Sequence, residues 1–235
     1  THNEVYFLPR ADRTAPLNLI SQRRENHEYH VDHGDGRFVI RSNREHLNFD
    51  LYQAPENAPS EDKWHKFVAG DARHYFTDHL ILQNRVILLE RIDGLDQIRI
   101  IEADGEQHRI EFPEDTYDAG LGRNPNFATD ELQVTYTSMV TPNTVFDYHL
   151  ATRTLATRKV QKIPSGYDAT NYCSERLNLT VRDKTIVPLS LVYHKDTPLD
   201  GSAPLYLYGY GAYGLSIPPS FSSVRLSLLN RGFIF

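Results

Sequence analysis

Cysteine is almost missing: Cys173 is the single one in 235 residues. No disulfide can form within the chain, and no thiolate zinc cluster can be assembled from one sulfur. A basic excess is missing too. Lys and Arg number 25 against 31 Asp and Glu, a formal net charge of −6, which argues against a nucleic-acid partner. Apolar runs fall far short of the ~18 residues a membrane-crossing helix needs, so no membrane partner is expected. The opening THNEVYFLPR has no basic region leading into an apolar core, so no secretory leader is expected. Aromatic residues are plentiful instead, with 14 Tyr and 11 Phe, more than a disordered chain carries. The expectation is a soluble, cytosolic, β-rich globular chain.

The pattern repeats. Three segments share an apolar strand, a short polar turn and a second alternating strand: RFVIRSNREHLNFDLYQA, NRVILLERIDGLDQIRIIEA and ELQVTYTSMVTPNTVFDYHLA. Their onsets, Arg37, Asn84 and Glu131, are 47 residues apart both times. Further candidate strands flank them, at 27–31 and 66–69 for the first and at 74–82 and 108–112 for the second. Four short strands per ~47 residues is the period of a β-propeller blade. A generic antiparallel sandwich is the competing reading of the period alone.

Near residue 170 the pattern changes. Residues 174–181 and 186–193 alternate as two strands joined by the turn Arg182-Asp183-Lys184-Thr185. Residues 204–208 read as a compact strand running into Gly209-Tyr210-Gly211-Ala212-Tyr213-Gly214, and 223–230 as a helix stopped near Gly232. Strand, glycine-rich loop, helix, strand is how an α/β sheet opens. The expected boundary lies at 168–173, with domains at 1–170 and 171–235. The last strand has barely begun at Phe235, which suggests a piece of a longer chain.

Candidate chemistry is sparse. Gly209-x-Gly211-x-x-Gly214 matches a dinucleotide fingerprint, but Ile217-Pro218-Pro219 blocks the helix start that would hold a pyrophosphate. Ser216 in Gly214-Leu215-Ser216-Ile217-Pro218 lacks the second glycine of a nucleophile elbow and reads as a loop residue. His27 and His30 have the wrong spacing for a helical zinc motif and, on a strand, would face opposite ways. Only His194 lies beyond the repeats. Asn178-Leu179-Thr180 is a formal glycosylation sequon, unused without secretion.

YCSERLNLTVRDKTIVPLSLVYHK and PLYLYGYGAYGLSIPPSFSSVRLSLLNRGF closely resemble the prolyl oligopeptidase family of serine peptidases. Within it, HEYHVDHGDGRFVIRSN, TSMVTPNTVFDY and SGYDATNYCSERL resemble the oligopeptidase B branch. The resemblance covers essentially the whole chain. It implies a seven-bladed propeller capping an α/β-hydrolase domain with a Ser-Asp-His triad. It also implies cleavage of short peptides after Lys or Arg, with neither cofactor nor metal. This chain would hold about three blades and the start of the hydrolase domain, mainly β overall, with the remainder of the parent chain as its partner. Tyr210 matches the tyrosine that donates to the oxyanion, and Tyr213 an aromatic position near the pocket for the residue before the cleaved bond. The triad and the acidic groups that select Lys or Arg would lie past Phe235, so the chain alone is expected to be inactive. The alternative is a propeller-based binding or scaffold module without catalysis.

Overall fold

The computed structural model describes residues 2–235. After a two-stranded sheet of β1 (Tyr6–Phe7) and β2 (Asn18–Leu19), the chain forms three four-stranded antiparallel meanders. The first holds β3 (Tyr29–Gly34), β4 (Arg37–Ser42), β5 (Asp50–Pro55) and β6 (His65–Val68). The second holds β7 (His74–Leu82), β8 (Arg85–Ile92), β9 (Leu95–Glu102) and β10 (Gln107–Arg109). The third holds β11 (Tyr117–Leu121), β12 (Glu131–Ser138), β13 (Thr144–His149) and β14 (Thr154–Val160). A hairpin of β15 (Tyr172–Thr180) and β16 (Ile186–His194) follows, then the four-residue helix α1 (Leu226–Leu229).

The three repeat onsets coincide with, or stand one residue before, β4, β8 and β12, the second strand of each meander. Second strands have a neighbour on both sides, so they carry the strongest apolar signal. Turn chemistry sets the register. Asp35-Gly36 and Asp93-Gly94 both adopt positive φ at both positions, the backbone that matches the twist of a two-residue hairpin.

The chain divides into two compact units. One comprises residues 2–92, Gln97–Arg109 and Pro125–Thr129. In it Val39, Leu51, Phe76, Val86, Leu88 and Ile101 form one buried cluster, while Tyr29, Phe38, Ile40, Tyr52 and Trp64 form another. Adjacent residues of β4 thus feed different clusters, as a period of two requires. The second unit comprises Asp93–Asp96, Ile110–Asn124 and Asp130–Phe235. Its third meander is cored by Tyr117, Ala119, Tyr136 and Phe146. Met139, Val140, Val192 and Leu229 form a separate buried cluster with Tyr172, Leu226 and Phe235 against it.

Three expected elements differ. The strand expected over 204–208 is a single parallel bridge, Leu205 to Ile234. Leu207 and Tyr208 have no neighbouring strand among the described residues, and a strand without a partner is not a ladder. The helix expected over 223–230 shrinks to α1 with turns on either side. The strand expected over 108–112 ends at Arg109, ahead of Pro113, which has no N–H to give to a ladder.

Candidate functional site

Tyr210 and Tyr213 lie in the loop that leaves the Leu205 bridge. The Tyr206 N–H donates to the Ile234 carbonyl at 2.8 Å, and the Ile234 N–H to the Pro204 carbonyl at 2.9 Å. On its other side Phe235 exchanges both main-chain hydrogen bonds with Val192 of β16, each 2.9 Å. The Tyr206 and Phe235 rings stack at 5.4 Å. The end of the chain is therefore stitched between β16 and the segment that launches the loop. α1 closes on Gly232, at φ +82°, with the Phe233 N–H reaching back to the Leu228 carbonyl, a glycine-terminated helix end.

The loop itself is open. Tyr210 is 46% exposed, and its hydroxyl makes no hydrogen bond among the described residues. Tyr213 is 93% exposed and sits at φ +58°, followed by Gly214 at +69°. Such a pair reverses the chain tightly and leaves the ring in solvent. The structure records no contact between the two tyrosines. Their roles therefore rest on the family resemblance. Ser216 lies exposed in the same loop. The glycine fingerprint has no helix behind it, since α1 begins only at Leu226.

The histidines do not share a strand: β3 begins at Tyr29, so His30 lies on it and His27 in the segment before it. His27 is buried, with Nε2 2.9 Å from the Ser42 hydroxyl and Nδ1 3.1 Å from Arg24, and its ring stacks on Tyr29. Burial, then the Arg24 guanidinium, hold its pKa below the ordinary imidazole value. His30 is exposed beside Glu28 at 3.1 Å. His194 meets the Tyr172 ring edge-on and lies 3.5 Å from Asp196.

Sequence reading missed the anchorage around the turn of the third meander. The Ser138 hydroxyl accepts the Val140 and Thr141 N–H groups at 3.0 and 2.7 Å. The Glu114 carboxylate accepts from the Tyr136 and Thr141 hydroxyls. The Tyr167 hydroxyl donates to the Val140 carbonyl, and the Phe221 N–H donates to Thr137 Oγ1 at 3.1 Å. Tyr167 stacks on Tyr172 and meets Phe221 edge-on. This array ties Tyr167 and Phe221 to the Ser-Met-Val-Thr-Pro turn. The Ser-x-x-Thr-Pro string was the available signal, since hydroxyls at that spacing bond their own backbone.

A second missed feature is Glu90 on β8. Its side chain is fully buried and its two oxygens pair with Arg99 of β9 at 2.9 Å and Arg109 of β10 at 2.8 Å.

These meanders and the attached loop have close counterparts. Residues 1–161 match the family described as prolyl oligopeptidase, N-terminal beta-propeller domain. Dipeptidyl aminopeptidase BI of Pseudoxanthomonas mexicana is 37% identical over 221 residues, 93% of this chain and 30% of that protein. Protease 2 of Moraxella lacunata is 31% identical over 235 residues, 100% of this chain and 34% of that protein. Oligopeptidase B from Leishmania major superposes on all of the chain with a TM-score of 0.87 at 29% identity, 34% of that structure being covered. Oligopeptidase B from Trypanosoma brucei with covalently bound antipain gives 0.87 at 26% identity, covering 98% of this chain and 34% of that one. The chain spans about a third of the length of the curated relatives it matches. It belongs to the prolyl oligopeptidase family, and its three meanders lie within that family's N-terminal β-propeller domain.

Proposed function

We propose that this chain is part of a serine oligopeptidase that cleaves short peptides after Lys or Arg. The observation that carries the reading is the likeness of the whole chain, not the propeller alone, to two oligopeptidase B structures. Residues 1–170 then supply three blades, and 171–235 open the α/β peptidase domain. The family match ending at residue 161, one residue past β14, favours that division. So does the parallel bridge from Leu205 to Ile234, with α1 between.

In this reading Tyr210 donates its hydroxyl to the oxyanion that forms when a serine attacks the scissile carbonyl. A hydroxyl with no partner of its own is available to such a charge, and losing one donor costs roughly 2.7–4 kcal/mol of transition-state stabilisation. Tyr213 lines the pocket for the basic residue. The 235-residue chain alone does not turn over peptide, because one donor does not replace a nucleophile and its base.

The decisive experiment uses the longer polypeptide that encloses this segment. Tyr210→Phe keeps the ring and removes the donor, so kcat and kcat/KM fall together by up to roughly 10²–10³-fold with KM little changed. Unchanged turnover removes Tyr210 from the site. The 37% identity to a dipeptidyl aminopeptidase favours a second reading, release of dipeptides from a free N-terminus. Comparing N-blocked with free-amine peptide amides separates the two, and no turnover of either leaves a binding module.

A further inference from the structure

His79 of β7 is 8% exposed. Its Nε2 lies 3.0 Å from the Val39 carbonyl on β4, in the neighbouring meander of the same unit. Its Nδ1 is buried with no hydrogen-bond partner among the described residues. A carbonyl only accepts, so Nε2 carries a proton, and a second proton on the buried, partnerless Nδ1 would be a donor facing no acceptor, which favours the neutral ring. The charged groups around it are Asp32 from β3, Arg41 from β4 and Asp78 on its own strand, while Leu88 of β8 stands opposite in register. Asp32 is already engaged. Its Oδ1 accepts the His33 N–H at 2.8 Å and its Oδ2 the Ile81 N–H at 2.7 Å. Asp78 Oδ1 accepts the His79 N–H at 2.8 Å. Burial is the largest influence on the imidazole and lowers its pKa, Arg41 adds to it, and the Val39 bond and the two carboxylates oppose it.

The same joint holds other side-chain-to-backbone bonds. Arg41 donates to the Phe76 carbonyl at 2.9 Å with its guanidinium over the Phe49 ring, and the Asn84 N–H donates to Asp35 at 2.8 Å. We propose that His79 is an acid-sensitive fastener between the first two meanders, holding them through Val39 while neutral and loosening them once Nδ1 takes a proton. A second N–H at Nδ1 would be a buried donor facing no acceptor, and a buried charge as well. The sign follows from linkage. The folded state resists protonation and the unfolded state does not, so the stabilisation is complete above ~6.5 and is lost as pH falls below it.

The test compares the 235-residue chain with His79→Gln, whose amide can still donate to Val39 but does not titrate. Urea unfolding is measured from pH 7.5 to 5.0. The folded-to-unfolded ratio of the parent should fall by up to about tenfold more per pH unit below ~6.5 than that of the variant. Parallel pH profiles overturn the proposal. Should the variant fail to fold, NMR on the parent decides. A His79 ring neutral at pH 5.5, with Ile81 and Asn84 amides losing exchange protection on further acidification, supports it. A ring that protonates at or above ~6.5 with protection unchanged refutes it.

Discussion

Val86, Ile87 and Leu88 of β8 are fully buried, whereas Leu179, Ile186 and Val187 of the β15–β16 hairpin are 41–65% exposed. The residue types are nearly the same, and both stretches are strands. β8 runs between β7 and β9, and Val86 and Leu88 enter a cluster with the first meander. At its turn end the β15–β16 ribbon pairs only with itself among the described residues and has no second layer on which to lay an apolar face, whereas Val192 at the other end joins a buried cluster. The difference teaches that burial here is conferred by neighbours rather than by composition. The first meanders carry their own core, while the hairpin presents apolar surface.

The largest test of that contrast strikes the polar centre of the second meander. Glu90→Ala should cost about 3–5 kcal/mol, because it strands Arg99, whose side chain is 15% exposed, without its counter-charge. Urea unfolding of the variant checks it, and a loss below 1 kcal/mol would mean the arginines find other partners. Leu88→Ala should cost about 2–5 kcal/mol through lost contacts and a cavity. Leu179→Ala should stay within about 0.5 kcal/mol. Equal losses from the two leucines would erase the comparison.

An alkaline titration sharpens it further. Burial pushes the Tyr117 hydroxyl up to about 12. The folded state then keeps its proton where the unfolded chain loses one near ~10, so stability falls as pH rises from ~10 toward 12. Tyr117→Phe should flatten that part of the unfolding profile. The smallest effect belongs to the loop. Tyr210→Phe in this chain should leave the urea midpoint unchanged, because the hydroxyl has no partner to lose; a clear shift would make Tyr210 a packing residue.

Much of the fold was legible. The 47-residue spacing marks the second strand of each meander, because an inner strand has a neighbour on each side and writes an apolar signal, dense in β4 and β8 and alternating in β12. The hairpin turn at 182–185 was legible from its polar residues, and the structure closes it through Val181 and Thr185. The strand over 204–208 was not, because Leu205, Tyr206, Leu207 and Tyr208 read as strand whether or not a partner lies alongside. The candidate site residues came from resemblance alone. A glycine-flanked tyrosine has no periodic signature, and Tyr210 touches nothing in the structure that would single it out.

By itself, then, the sequence determined the elements whose signal is local: alternating strands, Asp-Gly turns, the glycine that ends α1. These depend on backbone geometry and on neighbours a few residues away. Only the tertiary structure decided what lies far apart in the chain and close in space. It paired Glu90 with two arginines, set the His79 imidazole on the Val39 carbonyl 40 residues upstream, and clamped Tyr167 and Phe221 to the Ser138 turn. Buried polar groups must find partners wherever the packing brings them, and no local pattern records which partner that is.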